Sequence, residues 1–67
     1  MQPKKGEVYR HSKGGRYVIL CLAHNSNDPV QQMVVYQSLT DSFSYPVGTI
    51  WVRTLTEFCT PGRFVKE

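Results

Sequence analysis

Two stretches of the sequence combine basic and aromatic residues of the kinds that bind anions. The first contains Tyr9, Arg10, His11 and Lys13. Arginine donates paired hydrogen bonds to a phosphate or carboxylate, and histidine becomes charged below about pH 6.5. If this stretch is a strand, Tyr9 and His11 point to one face and Arg10 to the other. The alternative is that Tyr9 belongs to the core while Arg10 and Lys13 are solvated, as charge clusters usually are.

The second stretch contains the only tryptophan of the chain, Trp51, two positions before Arg53. Residues two apart in a strand share a face, here opposite Ile50 and Val52. If Ile50 and Val52 face the core, an outward Trp51 beside Arg53 suits the stacking of a base or the anchoring of a peptide. Alternatively, Trp51 is the largest core residue and Arg53 lies at the rim. The candidate binding residues are therefore Tyr9, Arg10, His11, Lys13, Tyr36, Trp51 and Arg53.

Neither stretch has the arrangement of a catalytic site or a metal centre. The five acidic residues include no two at a spacing that pairs them on one face. Gly14 and Gly15 form a turn, because the further glycines of a phosphate-binding loop are absent. Cys21 and His24 are three positions apart, which places them on opposite faces of a strand, and the ligand spacings of structural zinc sites are missing. The sequence therefore predicts a binding module without catalytic residues, metal or cofactor.

Length and composition limit the chain to one small domain. It has 67 residues, of which 40% are hydrophobic and 19% charged, as in globular proteins. The longest apolar run, 17–23, is too short to cross a bilayer, and the basic first residues lack the apolar stretch of a signal peptide. We therefore expect a single β domain over residues 1–67, with residues 1–5 and 62–67 frayed. A cytoplasmic location, reduced cysteines and no membrane partner are expected.

Turn residues divide the chain into strand-sized segments. These segments predict strands at 7–11, 16–24, 32–39 and 49–54, and either one helical turn or a short fifth strand at 55–58. Residues 17–23 are apolar at both alternating sets of positions, which predicts a strand covered on both faces. Phe43 and Tyr45, in the following loop at 40–48, are expected to pack back onto the sheet. The fold class is therefore mainly β, either a small curled antiparallel sheet or an open SH3-like barrel of four to five short strands.

Three segments also resemble a known family. They are GEVYRHSKGGRYVILCLAH at Gly6–His24, VVYQSL at Val34–Leu39 and WVRTLTEF at Trp51–Phe58. These segments are similar to the motifs of domain of unknown function 1653, a family of short bacterial and phage proteins. Two positions depart from the family pattern: Asn25–Pro29 replaces a usual Ser-Glu-Thr-x-Glu, and Thr54 replaces a usual proline. The resemblance implies a small β-rich fold and brings no established activity.

The distribution of charge favours one class of partner over another. The net charge is +3, and five of the eight lysines and arginines lie in the first sixteen positions. Together with the aromatic residues, this asymmetry favours a non-catalytic binding module for an anionic partner, either a nucleic acid or a phosphorylated small molecule such as a nucleotide. The alternative is a protein-interaction module in which Tyr9, Tyr36 and Trp51 line an SH3-like groove for a peptide. A monomer and a homodimer joined at an edge strand both fit a small open sheet.

Overall fold

The computed structural model describes residues 2–41 and 44–67, which form one five-stranded sheet and one short helix. The elements are β1 (Val8–His11), β2 (Arg16–Asn25), β3 (Asp28–Ser38), β4 (Ile50–Thr54), α1 (Leu55–Phe58) and β5 (Phe64–Lys66). The strand order across the sheet is β4-β3-β2-β1-β5, and every neighbouring pair is antiparallel. The predicted mainly-β class with a short helical turn is confirmed. The sheet is open and does not close into a barrel, because β4 and β5 lie at opposite edges.

Turn chemistry places the first three strands side by side. Between β1 and β2, Gly14 has a φ of 109°, a conformation that glycine adopts without strain. Its amide donates to the carbonyl of His11 at 2.8 Å, and the amide of His11 donates to the carbonyl of Gly15 at 2.7 Å. Between β2 and β3, the side-chain oxygen of Asn25 accepts from the amide of Asn27 at 2.9 Å, as asparagine often does in tight turns.

Strand pairing assigns the side chains of the sheet to two faces, because directly paired residues share a face. We call the face that packs against α1 the helix face and the opposite one the open face. Among the described residues, Ile19, Val34, Tyr36 and Phe58 form the buried core, and all four lie on the helix face. Five half-buried side chains pack around this core: Tyr9, Tyr17, Trp51, Leu55 and Phe64. The core is therefore small, rich in aromatic rings and confined to one side of the sheet.

A β-bulge in β2 changes the faces that simple alternation predicts. The register shifts between Ile19 and Cys21, so that Leu20 and Cys21 both lie opposite Val35 of β3. Beyond the bulge, Leu22 lies on the helix face and Cys21 on the open face, the reverse of the alternation that starts at Ile19. The sequence predicts that other parts of the protein cover both faces of β2. In the described residues, such packing is present on the helix face. On the open face, Leu20 is half-buried and Cys21 is exposed.

Residues 55–58 form the helix α1. Of the two alternatives that the sequence predicts here, a helical turn or a short strand, the structure shows the helical turn. Thr54 is its N-cap: the hydroxyl accepts from the backbone N–H of Glu57 at 3.1 Å and donates to the Glu57 carboxylate at 3.1 Å. The Thr54 hydroxyl thereby satisfies one of the backbone donors that the first turn of a helix leaves unpaired. The turn brings Phe58 onto the core, where its side chain is only 2% exposed.

Strand pairing and burial occur in both of the terminal stretches, 1–5 and 62–67, for which the sequence analysis expects fraying. Residues 64–66 form β5, which pairs with β1 and contributes Phe64 to the core surroundings. Pro3 is fully buried, while Met1 lies outside the described residues. The sequence does not reveal β5, because three residues are too few to show an alternating pattern and the strand forms by pairing with a distant one.

The loop between β3 and β4 agrees with the sequence expectation at Tyr45. Its ring packs edge-on against Trp51, with the ring centroids 4.8 Å apart. Phe43, for which the same packing was expected, lies outside the described residues. In the ranges 2–41 and 44–67, no helix has the length and apolar character needed to span a membrane.

We expect Phe58→Ala to unfold the domain or bring it close to unfolding. The Phe58 ring packs against the rings of Tyr9, Tyr36 and Phe64, and truncation of a buried phenylalanine costs about 3–5 kcal/mol. One core of this size supplies only about 3–5 kcal/mol in total. Urea unfolding followed by tryptophan fluorescence measures the loss. Val30→Ala is the control, because Val30 is 90% exposed; equal unfolding midpoints for the two variants would contradict the expectation.

Candidate functional site

A cleft of about 570 Å³ opens on the helix face beside the turn between β1 and β2. We call it the aromatic cleft, because among the described residues the rings of Tyr17, Tyr36, Trp51 and Phe64 line it. His11, Lys13 and Arg53 line the same cleft. These three residues also line an adjoining cavity of about 580 Å³, to which Thr60 and Arg63 contribute. We call this second space the side cavity.

Five of the seven candidate residues meet at the aromatic cleft, although they are distant in the sequence. They are His11, Lys13, Tyr36, Trp51 and Arg53. The register of the sheet explains the meeting, since Tyr36 of β3 pairs with Trp51 of β4 on one side and with Ile19 of β2 on the other. The turn that carries Lys13 joins β2 to β1 at the same end of the sheet.

The other two candidates, Tyr9 and Arg10, lie outside the cleft. The Tyr9 ring packs on Phe58 at 5.2 Å, and its hydroxyl donates to the Glu7 carboxylate at 3.2 Å. Burial, followed by the negative charge of Glu7, raises the pKa of Tyr9 above its ordinary value. Arg10 of β1 lies directly across from Arg16 of β2 in the strand register. Its side chain is therefore on the open face, opposite that of His11, as strand alternation predicts. The sequence cluster in β1 is therefore divided between the two faces.

A hydrogen bond between the side chains of Tyr36 and Arg53 connects the core to the cleft. Tyr36 is 4% exposed, and its hydroxyl accepts from the Arg53 Nε at 3.0 Å. Burial raises the pKa of Tyr36, and the bond from Arg53 opposes that shift. The Arg53 guanidinium also lies 5.8 Å from the centre of the Phe64 ring. Its Nε is therefore held by the protein, and its terminal nitrogens form no hydrogen bond with residues 2–41 or 44–67.

Trp51 lies on the core side of the sheet, as in the second arrangement left open by the sequence, but it is not one of the buried core residues. It lies half-buried on the helix face, while Ile50 and Val52 are exposed on the open face. The Trp51 Nε1 donates to the Ser38 hydroxyl at 3.0 Å, which satisfies the polar atoms of both side chains. One side of Trp51 therefore supports the core, while the residue still lines the cleft.

His11 is fixed by its neighbours in both orientation and tautomer. The backbone N–H of Lys13 donates to Nδ1 of His11 at 3.0 Å, so Nδ1 accepts and the neutral ring carries its proton on Nε2. The ring packs edge-on against Phe64 at 4.8 Å. Burial lowers the pKa of His11, and the charges of Arg53, Lys13 and Arg63 lower it further. These shifts indicate that positive charge surrounds the imidazole.

Positive charge exceeds negative charge around the two cavities. Among the described residues, Asp41 is the carboxylate that lines the aromatic cleft, and it accepts from the amide of Val47 at 3.0 Å. The ion pairs in the described ranges lie elsewhere, where Glu67 binds Arg16 and Glu7 binds Lys66. Lys13, Arg53 and Arg63 therefore have no carboxylate partner within residues 2–41 and 44–67.

The sequence candidates left out several residues that line the two cavities, among them Gly15, Tyr17, Arg63 and Phe64. Arg63 and Phe64 lie in the stretch expected to be frayed, so only the pairing of β5 reveals them. Gly15 carried a usable signal, because the turn needs one glycine with positive φ and the sequence has two. A Cβ atom at Gly15 would lie 2.7 Å from the Tyr17 hydroxyl. The second glycine therefore makes room for the Tyr17 ring at the cleft.

Comparison with known proteins gives one match. The model of a family described as "Protein of unknown function (DUF1653)" matches residues 7–64. No curated protein and no solved structure matches the chain.

Within the described ranges, no three His, Cys, Asp or Glu side chains lie close enough together to hold a metal ion.

We expect the stability of the domain to fall as the pH drops below about 6.5, because of His11. Its pKa in the folded state is below the ordinary 6.5, so the unfolded chain takes up a proton before the folded protein does. The contribution of His11 to the free energy of unfolding is therefore full above about pH 6.5 and is lost as the pH falls toward the folded-state pKa of His11. Urea unfolding at about pH 7 and about pH 5.5 measures the loss of stability between the two pH values. That loss should be smaller in His11→Gln than in the wild type, because glutamine does not titrate in this range. Equal losses in both proteins would contradict the assignment to His11.

Proposed function

The chain belongs to the DUF1653 family, whose function is unknown, and we propose that its aromatic cleft binds nucleotides, either free or within a single-stranded nucleic acid. Both sources present the same chemistry, a flat aromatic base joined to a phosphate. The proposal is for binding without catalysis.

The convergence of cations and aromatic rings at one place is the observation that carries this proposal. Lys13 and Arg53 line the aromatic cleft, and Arg63 lines the side cavity. None of the three is neutralised by a carboxylate of the described residues. Arg53 and Arg63 are half-buried, and a half-buried cation attracts phosphate more strongly than a fully solvated one does, because the local dielectric is lower. An anion is therefore the ligand that best complements this surface.

The exposure of the rings indicates which of them would contact a base. Tyr17, Trp51 and Phe64 are half-buried and line the cleft. Stacking of a base on such a ring contributes about 1–3 kcal/mol. Tyr36 is almost fully buried, so its part is indirect: its hydroxyl holds the Arg53 guanidinium. The terminal nitrogens of Arg53 suit a phosphate oxygen, which accepts paired hydrogen bonds from a planar guanidinium.

The dimensions of the site are compatible with a nucleotide. The aromatic cleft, at about 570 Å³, falls within the range of about 300–1,000 Å³ that is usual for small-ligand pockets. The side cavity shares His11, Lys13 and Arg53 with it. A phosphate near these three residues would leave the base toward Trp51 and a second phosphate toward Arg63. A nucleic-acid strand that continues beyond this nucleotide therefore has room on the side of Arg63.

An amide chemical-shift titration tests the proposal directly. The probes are nucleoside monophosphates, inorganic phosphate and a short single-stranded oligonucleotide, each at about 50 mM and about 200 mM salt. Shifts confined to the aromatic cleft and the side cavity, weaker at the higher salt, would support it. Tighter binding of the oligonucleotide than of the monophosphates would identify a nucleic acid as the source. No response to any of these probes would overturn the proposal and favour the groove for a peptide.

We expect Lys13→Gln and Arg63→Gln each to weaken nucleotide binding by roughly three- to tenfold, since each removes one charge-assisted contact with phosphate. The matched controls are Lys5→Gln and Arg10→Gln, which remove the same charges from positions outside both cavities. Fluorescence or calorimetric titration gives the dissociation constants, and urea unfolding confirms that all four variants remain folded. Equal weakening in variants and controls would mean that net charge, and not the cleft, determines binding.

A further inference from the structure

The open face of the sheet is a broad apolar surface. Paired positions in all five strands place valines and an isoleucine on this face: Val8, Val18, Val35, Ile50, Val52 and Val65. Ile50, Val52 and Val65 are 60%, 58% and 56% exposed. They occupy both edge strands, while the more buried members lie between them. Apolar patches of this kind are unusual on monomeric proteins unless they bind something.

Polar groups on the open face lie at its end or are already satisfied. Arg10 and Arg16 are adjacent at one end, and Arg16 is paired with Glu67 at 2.7 Å. Gln37 lies among the apolar residues, and its side-chain nitrogen donates to the carbonyl of Gly48 at 3.1 Å. The centre of the face therefore has no charge that a covering apolar surface would leave unpaired.

The sequence pattern and the core size both call for a cover on this face. β2 is apolar at both sets of alternating positions, which is typical of strands buried on both sides. Only four apolar side chains of the described residues are fully enclosed in the core cluster, all on the helix face. Sheets with an apolar face generally bury it against another layer. A second apolar layer on the open face would double the number of sheet faces that contribute to stability.

We propose that a second copy of this chain covers the open face, so that the two sheets form a face-to-face sandwich. A two-fold axis brings the same patch of each copy together, which requires a surface complementary to itself. An apolar face without central charge meets this condition. In such a sandwich the sheets lie about 10 Å apart.

The available area agrees with a stable dimer. A standard interface removes roughly 800 Å² of accessible surface from each partner, which is about one-sixth of the 4709 Å² of this chain. The broad side of the molecule measures 32 Å by 22 Å along the principal axes, which is an area of that order. The aromatic cleft lies on the opposite side of the sheet, so both clefts would face outward and remain accessible. The dimer is therefore independent of the proposed nucleotide binding.

Sedimentation equilibrium of the wild-type chain and three variants tests the dimer. The wild type should have twice the 7.7 kDa mass of one chain. Val52→Lys in β4 and Val65→Lys in β5 should each weaken the dimer by at least about tenfold, because each buries an unpaired charge at the interface. Val30→Lys is the control, since Val30 is exposed in the protruding β2–β3 hairpin and should leave the dimer intact. A monomer mass at every concentration would overturn the proposal.

The two cysteines distinguish a face-to-face dimer from pairing at an edge. Cys21 lies on the open face of the central strand β2, and Cys59 follows α1; both are exposed in one copy. In the proposed dimer, a thiol reagent should modify Cys21 at least about tenfold more slowly than Cys59, since access controls the rate. Val52→Lys should remove this protection. A dimer in which Cys21 reacts as fast as Cys59, or which persists unchanged in both lysine variants, would overturn the sandwich and indicate another interface.

Discussion

The hydroxyl of Tyr36 is the polar atom on which the core and the cleft both depend. The Tyr36 ring lies among those of Tyr17, Phe58 and Phe64 in edge-on contacts. A buried phenol needs a hydrogen-bond partner, because an unsatisfied polar group in an apolar core costs about 1–3 kcal/mol. Arg53 supplies that partner and is thereby held at the edge of the core. The same bond thus completes the core and positions a cation for a ligand, which couples stability to the candidate function.

Local chemistry is what the sequence predicted well. The strands β1, β2 and β4, most of β3, the turn at Gly14–Gly15 and the helical turn at 55–58 follow from residue types that act over a few positions, such as the capping pair of Thr54 and Glu57. Alternation within β1 correctly separated Arg10 from His11. These features require no knowledge of which strands are neighbours, and for that reason they can be inferred from the chain alone.

Features that depend on pairing between distant strands were not predictable in the same way. The bulge at Leu20 and Cys21 inserts one residue into β2, and every later side chain of that strand changes face relative to simple alternation. β5 is visible only through its pairing with β1, which brings Phe64 and Arg63 to the site. The direction of Trp51 likewise depended on where α1 packs. The bulge and β5 concern register, which an alternating pattern does not reveal until the partner strand is known. The direction of Trp51 concerns which face of the sheet α1 covers.

The two faces of the sheet separate two physical requirements. On the helix face, aromatic rings leave the Arg53 guanidinium only partly satisfied, an arrangement that suits ligand binding and adds little to stability. The open face has the opposite character, with aliphatic side chains and no central charge. A domain with so few buried residues has little stability to lose, so polar groups at the cleft are tolerable only if burial elsewhere offsets their cost. Covering the open face would provide that burial without occupying the cleft, and the aliphatic composition of all five strands on that face is the pattern such a division requires.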